Sequence, residues 1–297
     1  VLLQYSYMLK SDYDRGLALK EPFLRLMEQQ FHLRWYGLAL SGFSLASIFL
    51  GRWEDAMQEA HKALRAAEEF SDNNIGATAA WCISWAYTAQ GDLGRAGAYG
   101  ELAVQKATTP VDKMWTQAGL AWTWCRSGEP GRGLEVQAQI LALYRAARCI
   151  FGELCTPFLG EGYWLAGEYD KARHIFAELL AIAERCGMQF HMGCAHRFLG
   201  EIALHTNPAQ REAPLAAPHF EQSIAILQQI RAENELALAY AGYGRLYQQQ
   251  GNMVQAREYL TRALEIFERL GTLGEPDKVR QVLAELPGAS GAQHESV

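Results

Sequence analysis

Proline is scarce in this sequence, with nine in 297 residues, so few positions forbid a helix. Alternating β-branched runs are missing too, which removes the usual signature of half-buried strands. Ala, Leu, Arg, Glu and Gln are abundant, and all are strong helix formers. An all-α fold is the expectation. Six cysteines, Cys82, Cys125, Cys149, Cys155, Cys186 and Cys194, are scattered without a Cys-x-x-Cys pair. Such residues normally pack as small hydrophobes, and no disulfide framework is expected. Excess positive charge is absent: the net charge is −6, which argues against a nucleic-acid-binding surface. Arg nevertheless outnumbers Lys twenty to seven, leaving room for local basic patches. No long apolar run occurs. Leu38 to Leu50, the longest weakly polar stretch, contains three Ser residues and is too short to span a bilayer. No basic-then-apolar signal segment opens the chain, so a cytoplasmic location is expected.

Catalytic signatures are missing as well. No Gly-Lys pair occurs, so there is no P-loop for nucleotide phosphates. His-Glu-x-x-His and Gly-x-Ser-x-Gly are absent. Gly160-x-Gly162 lacks a third glycine and lies inside a predicted helix, so it is no dinucleotide fingerprint. The many carboxylates fall mostly on predicted outer faces beside Arg or Lys, as a solvated and paired surface does. No catalytic residue, metal or cofactor is expected.

What the sequence does contain is a repeat. Turn points at Ser11, Gly51, Gly91, Gly128, Gly167, Asn207 and Gly251 are spaced by 40, 40, 37, 39, 40 and 44 residues. Five positions after each regular turn stands a small residue: Gly16, Ala56, Ala96, Gly133, Ala172 and Ala256. A period of this size signals a solenoid, in which each unit buries its apolar face only against its neighbours. Around Gly251 the logic is clearest. Tyr240-x-x-Tyr243-Gly244-x-x-Tyr247 reads as the inner face of a first helix, closed by Gly251-Asn252. Ala256 permits the second helix to cross closely, and Leu260, Ala263, Leu264 and Phe267 continue its apolar stripe.

These residues resemble the tetratricopeptide (TPR) pattern W-x2-L-G-x2-Y…A-x3-F. Leu159-Gly160-x-x-Tyr163, Gly167 and Ala172-x-x-x-Phe176 form one copy. Leu199-Gly200-x-x-Ala203 opens the next, followed by an inserted loop from Asn207 to Pro214. Trp81…Tyr87…Gly91…Ala96…Ala103 and Leu120…Trp124…Gly128…Gly133 are weaker copies in phase with them. The resemblance extends to Leu270 and implies a right-handed α-solenoid of about fourteen or fifteen helices. The long repeat looks like those of bacterial signalling proteins, namely the maltose-regulator-like activators and the C-terminal arrays of ATPase–nucleotide-cyclase fusions. Ala263 to Gly271, followed by Glu275-Pro276-Asp277, looks most like the end of the cyclase-type arrays.

The solenoid is expected over residues 1–286, with a partial first repeat at 1–30, repeats over about 33–270 and a cap helix at 275–286. Residues 287–297 read as a disordered tail, rich in Gly, Ala and Ser. Val1 falls inside what should be a helix, so a preceding segment is expected, and the exposed first unit offers a surface for self-association.

The TPR pattern places first-helix side chains on a concave groove. The corresponding residues are Trp81, Trp85, Trp115, Trp122, Arg126, Glu161, Trp164, Arg197, Glu201 and Arg245, with Leu45, Phe49 and Gln249 beside them. Rigid aromatics next to Arg suit an extended peptide, a helix or a partner domain, because Trp and Arg dominate binding hot spots. The same stripe also reads as interhelical packing, which the Arg and Glu residues fit less well, since unpaired buried charge is costly. Other readings stay open. They are a small-molecule sensor with a closed aromatic pocket, a non-catalytic fragment of an ATPase or cyclase, and a DNA-binding activator. Cys186, His191, Cys194 and His196 have zinc-ligand chemistry. However, Cys194 and His196 would point about 200° apart on one helix. Packed cysteines and partly exposed histidines are expected instead. His61 and His174 are expected on exposed second-helix faces, and Trp53 against a helix end.

Overall fold

All six regular turn points adopt the left-handed conformation, with φ of 61° at Ser11, 75° at Gly51, 101° at Gly91, 90° at Gly128, 74° at Gly167 and 79° at Gly251. Five of the six are glycine, which enters this region without the Cβ clash that penalises other residues. At Gly91 the geometry closes the helix behind it: Gly91 and Asp92 both donate their N–H to the Tyr87 carbonyl at 2.9 Å. The next helix then starts on a side-chain cap, with Asp92 accepting from the Arg95 N–H. Asp72, Thr109 and Asn252 cap other helices in the same way.

The computed structural model describes residues 2–29, 33–146, 155–205 and 213–287. They form a right-handed α-solenoid of TPR-like repeats, with no strand among them. Three short helices open it: α1 (Leu2–Leu9), α2 (Tyr13–Ala18) and α3 (Lys20–Gln29). Five antiparallel hairpins follow: α4 (Leu33–Phe49) with α5 (Trp53–Glu69), α6 (Asn73–Gln90) with α7 (Leu93–Lys106), α8 (Pro110–Arg126) with α9 (Pro130–Ala146), α10 (Thr156–Leu165) with α11 (Tyr169–Cys186), and α12 (Gln189–His205) with α13 (Ala213–Gln229). A sixth hairpin, α14 (Glu233–Gln249) with α15 (Met253–Leu270), leads to the closing helix α16 (Glu275–Glu285).

The sixteen helices exceed the sequence expectation partly because α2 and α3 replace one second helix. Pro22 has no N–H to offer the Ala18 carbonyl, so the helix breaks between Ala18 and Lys20. Pro214 lies in the first turn of α13 and not in a loop. Asn207, Cys149 and the tail from residue 288 lie outside the described residues.

Small residues after the turns let the helices touch. Ala56, Ala96, Ala172 and Ala256 are fully buried. At Gly133 an added Cβ would stand 2.4 Å from the Ala121 carbonyl oxygen, so the α8–α9 crossing requires glycine. The tyrosine stripe of α14 lies against its partner helix. Tyr243 and Tyr247 pack on Tyr259 of α15, with centroids 4.8 and 5.6 Å away, so the stripe faces the second helix and leaves the superhelix axis to other side chains.

The solenoid winds tightly enough to touch itself. The Phe190 N–H donates to Ser11 Oγ at 2.8 Å, Gly51 lies against Asn234, and the Leu273 N–H donates to the Gln90 carbonyl at 2.7 Å. These contacts join turns about 180 residues apart, or roughly four and a half repeats. The first unit is therefore docked on later repeats, with Asp14 also paired to Arg231 at 3.4 Å. One apolar cluster runs from Met8 to Leu286 and gathers both ends of the chain. No helix of the described residues is long and apolar enough to cross a membrane.

Candidate functional site

The concave side is lined by α4, α6, α8, α10, α12 and α14, the first helix of each hairpin, and these carry all ten groove residues expected from the sequence. The ten separate into an aromatic wall and a charged channel.

The wall is continuous. Trp81 meets Trp85 at 5.1 Å and Trp115 edge-on at 5.7 Å. Trp85 packs on Phe158 at 5.0 Å, and Phe158 stacks on Trp122 at 4.5 Å. Phe49 then joins Trp85 to Phe190 of α12, across the superhelix axis. The wall is buried: Trp81 is 2%, Trp85 6% and Trp122 5% exposed. Leu45 and Phe49 are buried too, while Trp115 and Trp164 are half-buried and Gln249 is exposed at the end of α14. Trp81, Trp85 and Trp122 are therefore part of the core, with faces or edges of Trp85 and Trp122 lining one cavity. That cavity, shared with Phe49, Phe190 and His191, is about 50 Å³, room for little more than water. A separate pocket of about 250 Å³ lies between the N-terminal halves of α4, α6 and α8, walled by Leu38, Trp81 and Trp115.

The charged channel is larger. A cavity of about 440 Å³ brings together Arg126, Glu161, Trp164, Arg197, Glu201 and Arg245. Each charge is tied to the neighbouring inner helix. Arg197 of α12 places Nε and Nη2 at 2.9 and 2.8 Å from Glu235 Oε2 of α14. Arg245 of α14 returns the contact to Glu201 of α12 at 2.5 Å. On α8, Trp122 donates its indole N–H to Glu161 Oε2 at 2.8 Å, and Arg126 stands 3.8 Å from Glu161 Oε1. Burial would by itself make Arg197 easier to deprotonate, but Glu235 and the surrounding anionic groups hold it above its ordinary value. The charges are thus paired while facing a cavity, which meets the cost of burying them. Two groups are left over: Trp164 Nε1 and Glu201 Oε2 are buried without a hydrogen-bond partner among the described residues.

Some cavity residues escape the TPR pattern. Glu235 and Leu238 lie on the inner stripe of α14, ten and seven residues before Arg245, so extending that stripe by helical period would have found them. Leu273, Gly274, Glu275 and Lys278 come from the end of the chain, with no periodic signal to mark them. The Cys/His cluster does not converge. His191 is buried beside Phe49, and burial lowers it to about 4. His196 instead faces His219 of α13, Nδ1 to Nδ1 at 2.9 Å. Among the described residues no group of three or more His, Cys, Asp or Glu could hold a metal ion. His174 is exposed, whereas His61 is half-buried against Tyr99, and Trp53 is buried.

The tetratricopeptide repeat family matches residues 209–269. No curated protein sequence matches the chain. Among solved structures, the chain is similar to the Rap conjugation gene regulator of plasmid pLS20 in complex with the Phr* peptide. The identity is 14% and the TM-score 0.68, over 97% of this chain and 75% of that one. It is also similar to a Rap protein complexed with Competence and Sporulation Factor, at 14% identity and TM-score 0.59 over 95% of each chain. A third is the apo form of RapI, at 12% identity and TM-score 0.60, over 90% of this chain and 98% of that one. At these identities the likeness is one of fold.

Proposed function

We propose that the chain is a protein-interaction scaffold that takes an extended peptide into the charged channel. One observation carries the reading. The 440 Å³ cavity is of ligand size and combines apolar walls with charges of both signs. A peptide has the matching parts, since each backbone amide offers a carbonyl to the cationic side chains and an N–H to the carboxylates of the lining. Two of the structural neighbours are complexes, one with the Phr* peptide and one with Competence and Sporulation Factor, and their fold runs through nearly all of this chain. The aromatic wall supports the channel and supplies little contact itself.

The test uses Trp164 as reporter. Titration with an N-acetylated random hexapeptide pool should change intrinsic fluorescence, and Arg245→Gln should weaken that response while preserving the circular dichroism spectrum. No response to the pool at millimolar concentration would sink the proposal.

The 250 Å³ pocket beside Trp81 and Trp115 favours a second reading, an apolar small-molecule sensor. Filling that pocket by Thr78→Phe should abolish small-molecule binding and leave peptide binding intact. The resemblance to bacterial regulator arrays extends the proposal: the array serves a larger cytoplasmic signalling protein, and occupancy biases its effector domain. Deleting the array without changing effector output would refute that extension.

A further inference from the structure

Among the described residues, Glu275 is the one carboxylate of the channel that no inner helix supplies. It opens α16, which Pro276 and Val279 seat on the body of the solenoid. Its carboxylate accepts from Lys278 Nζ at 2.7 Å, and its side chain is 17% exposed. It lines the same cavity as Arg126 and Arg245.

Arg126 differs from the other two guanidinium groups. Arg197 and Arg245 each hold a carboxylate at hydrogen-bond distance, whereas Arg126 makes no hydrogen bond among the described residues. Its partner Glu161 is already committed through Oε2 to the Trp122 indole. A guanidinium presents a planar fork that matches a carboxylate in two places, and here the fork has only the longer 3.8 Å ion pair to Glu161 and the Trp122 ring beside it.

Three hydrogen bonds fasten the segment before Glu275 to neighbouring turns of the superhelix. Gly271 and Gly274, with φ of 68° and 77°, flank Thr272 and Leu273. Leu273 N–H bonds the Gln90 carbonyl, Gln90 Nε2 reaches the Gly271 carbonyl at 3.2 Å, and Thr272 Oγ1 bonds Asn234 Oδ1 at 2.9 Å.

We infer that Arg126 anchors a carboxylate of the bound peptide, and that Glu275 is an internal stand-in which this carboxylate displaces. The inference rests on the peptide reading above. With Glu275 in place, four cations (Arg126, Arg197, Arg245, Lys278) face four carboxylates (Glu161, Glu201, Glu235, Glu275). Rotating the Glu275 side chain out of the channel, with Lys278 left in place, leaves one cation in excess, and a ligand carboxylate restores the balance. The local field favours an anion at this position. Burial alone would push the Glu275 carboxyl up, yet Lys278, and behind it Arg126 and Arg245, hold it below the usual carboxylate range.

The experiment measures fluorescence anisotropy of the full chain with three N-acetylated, dye-labelled hexapeptide pools. One pool has a free C-terminus and no Asp or Glu. The second is the same pool amidated, and the third is amidated with one Glu. At least one carboxylate-bearing pool should bind about tenfold or more tighter than the neutral pool. The first and third pools tell whether a terminus or a side chain supplies the group. Glu275→Gln should tighten the carboxylate-bearing pool severalfold and leave the neutral pool unchanged. Arg126→Gln should bring every pool to the neutral level, and Arg126→Lys should keep part of the difference. Circular dichroism verifies that each variant folds. Equal binding of all three pools, or no response to Glu275→Gln, overturns the inference and leaves the peptide reading standing. Binding of no pool overturns both.

Discussion

The Arg197–Glu235 pair gives the sharpest thermodynamic test of how the channel is built. Arg197 has only 8% of its side chain exposed and Glu235 20%, and the two guanidinium contacts are 2.9 and 2.8 Å. Replacing Arg197 by Met leaves Glu235 facing a poorly solvated cavity, with Cys194 Sγ at 3.6 Å as its remaining neighbour. Breaking a buried pair in this way costs about 3–5 kcal/mol. Replacing Glu235 by Leu strands the deeper guanidinium and should cost a similar amount, toward ~3 kcal/mol because Glu235 itself is partly wet. The double variant removes both charges and both desolvation penalties. It is expected near wild-type stability or about 1–4 kcal/mol above it. Urea unfolding of all four proteins, followed by circular dichroism, closes the cycle. The expected coupling is large: the double variant is far more stable than the sum of the single losses allows. If the single effects add to within ~0.5 kcal/mol, the pair does not join α12 to α14 as described.

Three further perturbations separate the remaining roles. Trp81→Ala empties a site that is 2% exposed and should cost about 3–5 kcal/mol with a lowered melting temperature, whereas Trp164→Ala at the half-buried cavity edge should cost much less; equal losses would contradict the division into wall and channel. His191 is held neutral by burial down to about 4, so acidification protonates the unfolded chain first. Its contribution is present above the unfolded value near ~6.5 and is lost as pH falls from there to about 4, by up to ~1.4 kcal/mol per pH unit. His191→Phe should reduce that slope by one proton's worth, and an unchanged slope in urea midpoints from pH 7 to 4 refutes it. Gly91→Ala and Gly167→Ala share the left-handed strain of about 1–2 kcal/mol. Only at Gly91 would the new Cβ also meet the Leu273 carbonyl oxygen, at 2.5 Å, so Gly91→Ala should lose more; equal urea midpoints would mean that the cross-turn contact contributes nothing.

The repeat itself was legible residue by residue. Every regular turn point, from Ser11 to Gly251, is left-handed in the structure, and the small residue five positions later is buried at each helix crossing. This information is local, because a turn and the close approach after it depend on residues a few positions apart. The charged half of the site was legible for the same reason. Arg126, Glu161, Arg197, Glu201 and Arg245 occupy inner-helix positions set by the helical period, and they meet in one cavity. How deeply the aromatic wall is buried was decided elsewhere. Phe49 packs on both Trp85 and Phe190, so Trp85 is covered by a contact between repeats about 140 residues apart. Glu275 lines the same cavity as Arg126 only because the superhelix returns on itself after about 180 residues. Small rotations at each hairpin sum to that pitch, and no single repeat encodes the sum.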